Sequence, residues 1–307
     1  VVPPVSRRSR TVELASPLDL HRTLSTVRRG PGDPAYHRAG DDLWRTTRLA
    51  SGPATLRLRL SGSRALQVDA WGPGADEAVD GVDRWFPDSS FCLPLDAHPH
   101  VADAHRRFPG LRPLATGRLM EALVPAVLEQ KVLGADAFAS WRRLLSRFGS
   151  PAPGPTPVPM RVVPTSEQWA AIASWDWHLA GVDPQRYRTV HAAARLGDRL
   201  ERLAATAPPD QVYRALRAVP GIGAWTVAET ARRALGDLDA VPWGDYHLAN
   251  LVGVGLAGER VTHAEVPPLL ERYRPYRGHV VRLLQLSPHV LVERRGPRNS
   301  RVDHRSI

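Results

Sequence analysis

The segment from Leu216 to Asp245, LRAVPGIGAWTVAETARRALGDLDAVPWGD, holds the residues whose types and spacing can do chemistry. Pro220-Gly221-Ile222-Gly223 reads as a tight turn between a helix that ends at Val219 and another that begins near Ala224. Glycine at both ends of the turn allows positive φ and leaves no Cβ to hold a ligand away. The N–H groups of the turn and of the helix start then point outward together, which makes an anion site. A plain αα-hairpin that needs glycine for close helix packing accounts for the same four residues. Charge bears on the choice, because 41 Lys+Arg against 31 Asp+Glu give a net charge of +10. The sequence pI is near 10.7. Such a balance favours a polyanionic partner, and the natural anion is a DNA phosphate held by backbone donors that position without reading sequence. Further along, Asp245 stands twenty residues after Trp225 and directly before Tyr246. An aspartate there is a good N-cap for a helix starting at Tyr246.

The elements that must position these residues fall into two groups. Arg10–Leu14, Leu43–Leu49, Ala54–Leu60 and Leu66–Ala70 alternate apolar and polar residues, as half-buried strands do, and Ser61–Ser63 is a hairpin turn. A short helical stretch opens at Pro17–Asp19 and is broken near Gly30. After Pro94, about nine segments carry apolar residues at helical spacing. They are Gly117–Val132, Ala135–Phe148, Ser166–Ser174, Pro184–Ala204, Pro209–Ala218, Trp225–Leu235, Tyr246–Val254, Ala264–Tyr273 and Arg277–Leu286. The proline-rich Ser150–Pro164 reads as an extended linker within one helical unit. The expectation is an α+β N-terminal domain over 1–96, an all-α unit over 97–292 and a disordered basic tail over 293–307. The single cysteine, Cys92, excludes an internal disulfide, a Cys-based zinc site and a four-Cys iron–sulfur cluster. No run reaches the length of a transmembrane helix and no apolar N-terminal segment is present, so a cytoplasmic protein that does not bind membranes is expected.

With its context, the hairpin resembles that of the helix-hairpin-helix DNA glycosylases, and among them most the bacterial 3-methyladenine DNA glycosylase II type. That family follows an LPGIGxWTA hairpin, about twenty residues on, with a catalytic Asp beside a Tyr. The likeness extends collinearly to the strand-helix-three-strand start, Pro109–Arg112 (PGLR), Met120–Val132 (MEALVPAVLEQKV) and Tyr273–Gly278 (YRPYRG). It implies an N-terminal domain like half of a TATA-binding-type fold, followed by an all-α glycosylase domain. Asp245 would be the catalytic carboxylate, and Trp225 the base contact, with Glu229, Tyr246 and Gln285 also in the base pocket. Gly221, Ile222, Gly223, Ala224, Thr226, Gln130 and Lys131 would meet DNA. A monovalent cation, Na+ or K+, would bind the backbone carbonyls of Val219 and Ile222, and no other cofactor is implied. The partner would be double-stranded DNA with a damaged base, bound by a monomer.

Cleaving an N-glycosidic bond builds positive charge on the deoxyribose, which a carboxylate beside C1′ stabilises while it orients or deprotonates water. Bifunctional relatives carry a Schiff-base lysine where this chain has Trp225, so the resemblance implies a monofunctional enzyme of base excision repair that leaves an abasic site. Alkylated bases such as 3-methyladenine and 7-methylguanine are the implied substrates. The alternatives are a glycosylase for uracil, hypoxanthine or an oxidised base, and a non-catalytic damage-binding protein. The chain departs from the family pattern at three positions. Glu229 and Gln285 stand where pocket aromatics are usual, giving a more polar pocket in which Glu229 would attract a cationic base. Lys131 stands where an apolar wedge fills the gap left by the flipped nucleotide. Trp175-Asp176-Trp177-His178 reads either as a pocket wall or stacking platform, or as core anchors at a helix end.

Overall fold

The computed structural model describes residues 7–87 and 92–291. Alternating residues build a five-stranded antiparallel sheet from β1 (Arg7–Glu13), β2 (Tyr36–Ala39), β3 (Asp42–Leu49), β4 (Gly52–Ser61) and β5 (Ala65–Trp71). The strand order is β1-β5-β4-β3-β2. Leu58 lies opposite both Leu43 and Val68, so one face is apolar across the central strands. That face packs on α1 (Leu20–Leu24) and α2 (Ala75–Gly81). The other face carries Trp44 stacked on Trp71 at 5.5 Å.

The remaining helices follow in order: α3 (Pro99–Arg107), α4 (Leu119–Leu128), α5 (Gly134–Phe148), α6 (Ser166–Ala171), α7 (Ser174–Leu179), α8 (Pro184–Ala194), α9 (Gly197–Thr206), α10 (Pro209–Arg217), α11 (Ala224–Ala234), α12 (Leu248–Leu256), α13 (Val266–Glu271) and α14 (Arg277–Leu286). They form two principal hydrophobic cores rather than one. α4 to α11 enclose the first, around Leu123, Trp141, Trp169 and Trp177. α3 joins α12, α13 and α14 around the second, with Val101, Val252, Leu270 and Leu284 at its centre. None of the described helices is long and apolar enough to cross a membrane.

Several sequence expectations change. Ser150–Pro164 is not an extended linker. It folds back as the short strand pair β6 (Ser150–Pro151) and β7 (Arg161–Val162), with Met160 against Trp44 and Trp71. Thr46 Oγ1 donates to the Arg161 carbonyl at 2.6 Å, and Arg48 Nε to that of Val163 at 2.7 Å, so the prolines brace the sheet against the helices. Glu121 on α4 makes a second tie, accepting from Arg45 Nη2, Thr47 Oγ1 and the Arg48 N–H at 2.7 to 2.8 Å. The helix expected over Ser166–Ser174 ends at Ala171, with Ser174 opening the next one, and Pro184–Ala204 breaks into two helices. At the second break, the Gly197 backbone passes so close to Ser166 that a Cβ would lie 2.2 Å from its hydroxyl. The basic tail, 293–307, lies outside the described residues.

Candidate active site

The hairpin joins α10 to α11, and its two glycines do different work. Gly221 has φ +85, and a Cβ there would lie 2.0 Å from Thr189 Oγ1, so both its conformation and its packing exclude a side chain. Gly223 does not have the positive φ expected from the sequence. Its φ is −97, and a Cβ on it would meet nothing within 4 Å. The Ile222 N–H closes the turn on the Val219 carbonyl at 3.1 Å. α11 then starts with the Val227 N–H donating to the Gly223 carbonyl at 3.0 Å. The N–H groups ahead of it have no acceptor within the helix, as at any helix start. Gly221, Gly223 and Ala224 are exposed, whereas the side chains of Ile222 and Thr226 are buried. Those two residues can therefore meet a partner only through the backbone. The Thr226 hydroxyl is taken up by Gln130, whose Nε2 donates to it at 2.8 Å and to the Gly221 carbonyl at 3.0 Å.

Gln130 belongs to the turn that follows α4. The Leu128 carbonyl accepts from Arg186 Nη1 at 2.6 Å, and the chain then reverses through Lys131, whose φ of +53 is unusual for a side-chain-bearing residue. Lys131 is thus not in a helix, as the sequence pattern suggested. It sits exposed in a tight turn that Gln130 fastens to the hairpin.

Asp245 lies in the turn before α12, where Gly244 has φ +83 and the Asp245 N–H donates to the Pro242 carbonyl at 3.0 Å. Each carboxylate oxygen is held by a different donor. The His247 N–H donates to Oδ1 at 2.8 Å, and the Trp225 indole Nε1 donates to Oδ2 at 3.0 Å. The cap-like role and the pairing with Trp225 therefore coexist on one side chain. Both residues line a cavity of about 200 Å³ between the two helical cores. α11 contributes Glu229, Arg232 and Arg233 to its wall, while α12 and α14 supply Leu248, Leu251, Val281 and Gln285.

Of the expected pocket residues, Trp225, Asp245, Glu229 and Gln285 come together, and Tyr246 does not. Tyr246 is exposed and packs edge-on against His247, which lines the cavity in its place. Glu229 is not an available anion either. It is buried, with Oε2 paired to both Arg232, at 3.0 Å, and Arg233. Burial alone would push its carboxyl up, but the two guanidiniums outweigh that and hold it at about 2. Trp177 is a core residue stacked on Trp169 at 5.7 Å, while Trp175 is 65% exposed and stacks on His178. Neither tryptophan lines the cavity. Sequence reasoning missed Arg232, Arg233, His247 and Glu129 as wall residues. The signal for Arg232 was present: Trp225, Glu229 and Arg232 are spaced i, i+4, i+7 and so share one helix face.

No protein-family model matches the chain. It is 32% identical over 195 residues to proteins of two Mycobacterium tuberculosis strains described as a probable bifunctional transcriptional activator/DNA repair enzyme AlkA. The match covers 62% of this chain and 38% of the length of those relatives. Its fold is similar to that of a 3-methyladenine DNA-glycosylase from Archaeoglobus fulgidus, with a TM-score of 0.74 at 17% identity over 90% of this chain and 97% of that one. It is also similar to a Clostridium acetobutylicum 8-oxoguanine glycosylase/lyase in complex with double-stranded DNA, with a TM-score of 0.68 at 11% identity over 91% and 95%. In sequence the chain is similar to part of the length of those relatives, and in fold it is similar over most of its own length to both glycosylase structures.

Proposed function

We propose that the protein is a monofunctional DNA glycosylase that hydrolyses the N-glycosidic bond of a damaged base in duplex DNA and so acts in base excision repair. The observation that carries this reading is Asp245 at the wall of a cavity of about 200 Å³, with its two oxygens held by Trp225 and His247. A carboxylate fixed in this way is preorganised to face the positive charge that grows on the sugar, so little reorganisation is needed as the bond breaks. It can also orient the attacking water and take its proton. The Trp225 ring offers a flat face to an extruded base, and no amine occupies that position to form a Schiff base, so the product is an abasic site.

Duplex DNA would be gripped by the exposed backbone at Gly221, Gly223 and Ala224, with Lys131 in the adjoining turn entering the stack beside the extruded nucleotide. The resemblance also assigns a monovalent cation to the carbonyls of Val219 and Ile222. A carbonyl has two lone pairs, so the Val219 oxygen can close the turn and still contribute to such a site.

Two substrate readings meet in the pocket. A cationic alkylated purine, the class implied by the resemblance, gains from the π face of Trp225. A neutral base with carbonyl oxygens is favoured by the guanidiniums of Arg232 and Arg233 in the wall. The glycosylase reading is tested by incubating duplexes with methylated, deaminated or oxidised bases with the wild type and with Asp245→Asn, then assaying released bases and abasic sites. The wild type should release a base, and Asp245→Asn should be slower by roughly a hundred- to a thousandfold. No release from any lesion would refute the glycosylase, and equal release by both proteins would refute Asp245 as its catalyst.

A further inference from the structure

The segment Tyr273–Gly278, YRPYRG, is marked in the sequence yet takes no part in the cavity wall. It joins α13 to α14, supplies the first two residues of α14, and lies against the loop of residues 236–247 that runs from α11 to α12 and carries Asp245. Arg277 grips this loop at Asp239, with Nε donating to Oδ1 at 2.8 Å and Nη2 to Oδ2 at 2.6 Å. The Arg277 N–H adds a third donor, to Oδ1 at 3.2 Å. The same guanidinium lies over the Trp243 ring, with Cζ 5.7 Å from the ring centre. Backbone contacts complete the seat. The His279 N–H donates to the Leu238 carbonyl at 2.9 Å, and a Cβ on Gly278 would lie 2.4 Å from the Ala240 carbonyl oxygen. Asp239 is itself fixed from within the loop, because its N–H donates to Asp237 Oδ1 at 2.7 Å while Asp237 Oδ2 accepts from the Tyr213 hydroxyl.

One side chain thus holds the stretch Asp239–Trp243 at both ends. Only Gly244, at φ +83, then separates Trp243 from Asp245, whose N–H turns back to the Pro242 carbonyl at 3.0 Å. Residues 236–247 belong to no helix or strand, so no ladder of backbone bonds sets their path. Trp225 Nε1 and the His247 N–H orient the Asp245 carboxylate, but the main chain from which it projects needs a support of its own.

Resting on the glycosylase reading, we propose that YRPYRG is the seat of the Asp245 loop and that Arg277 is a positioning residue for the reaction. By gripping Asp239 with its edge and covering Trp243 with its face, it sets where the Asp245 carboxylate stands relative to the sugar. A guanidinium can do both at once, because its planar fork matches a carboxylate with two parallel N–H bonds while its face stays free to stack. A lysine would keep the charge and lose both the fork and the plane. The consequence for rate is large, since a displacement of about 1 Å at a reacting group can cost about a hundredfold.

The test compares Arg277→Lys with the wild type, both as the full chain, in two measurements. These are single-turnover base release at saturating enzyme, across duplexes with methylated, deaminated or oxidised bases, and affinity for abasic-site duplex. Release should fall by roughly ten- to a hundredfold while affinity stays within about twofold, since the hairpin and the Lys131 turn lie on other elements. An unchanged rate would overturn the proposal and leave the glycosylase standing. A fall in affinity that matches the fall in rate would also overturn it, because general loosening rather than the placing of Asp245 would then be the cause. A wild type that releases no base from any lesion would overturn both readings. If Arg277→Lys does not fold, two variants of Trp243 decide. Trp243→Phe keeps a ring beneath the guanidinium and Trp243→Leu fills space without one, so the Phe protein should release base at least roughly threefold faster at equal duplex affinity. Equal rates in the two would overturn the stacking on which the placement depends.

Discussion

Trp225 and Asp245 are twenty residues apart in sequence and 3.0 Å apart at Nε1 and Oδ2, so the proposed base contact and the proposed catalyst are one mechanical unit. The ring and the indole N–H can be separated by experiment. Trp225→Phe keeps an aromatic face for the base and removes the donor to Oδ2. Its release rate at saturating enzyme should fall by about tenfold, the scale of a lost hydrogen bond to a charged group, with affinity for abasic-site duplex unchanged. An unchanged rate would show that the indole N–H plays no part in holding the carboxylate. Asp245 and Trp225 were legible in the sequence because a motif and a spacing mark them. Arg233, His247 and Glu129 carry no such mark, since they reach the cavity only when the two helical cores close on each other. The pairing of Glu229 was legible from spacing, since Arg232 and Arg233 follow it at i+3 and i+4 on the same helix, whereas its burial was not.

At the scale of the hairpin, Gly221 and Gly223 should separate stability from DNA binding. Gly221→Ala places a Cβ against Thr189 at positive φ, and should cost about 1–3 kcal/mol of unfolding free energy. Gly223→Ala meets no protein atom in the Cβ position and has an ordinary φ. It should melt within about 1 kcal/mol of the wild type, the cost of a poorer N-cap, yet weaken duplex binding, because the added methyl stands where backbone must approach phosphate. Urea melts and duplex titrations of both variants check this. A Gly223→Ala protein that binds duplex like the wild type would remove that face from the DNA contact. The larger elements were readable from period alone, as α14 shows, since its observed limits are those its pattern predicts. β2 was not, because four residues at a sheet edge are too few to show alternation. The proline-rich brace misled because proline content fixes local extension and says nothing of the tryptophan pair waiting on the sheet.

Across the whole molecule, the positive charge that suggested a polyanionic partner is not all available to one. Arg29, Arg45, Arg112, Arg186 and Arg233 are buried and serve the interior, tying strands, loops and helices together. The second helical core, which forms the far wall of the cavity, also carries a pH liability. His279 on α14 is buried, and burial, with the charges of His105 and Arg282 adding to it, lowers its pKa to about 3. Between that value and 6.5 the unfolded chain binds a proton at this site that the folded protein does not, so stability rises with pH there and is lost as pH falls. The slope from one such group is about 1.4 kcal/mol per pH unit. His98 and His105, also lowered by burial, act in the same direction within this core. Glu229, held at about 2, contributes only lower down, as pH falls from its unfolded value of 4.5. The acid limb of activity between pH 6 and 5 should therefore follow loosening of the α12–α14 wall. Urea melts at pH 7, 6, 5 and 4 should show falling stability in the wild type and a slope shallower by about 1 kcal/mol per unit in His279→Gln. Parallel slopes in the two proteins would mean that the acid sensitivity lies elsewhere in the chain.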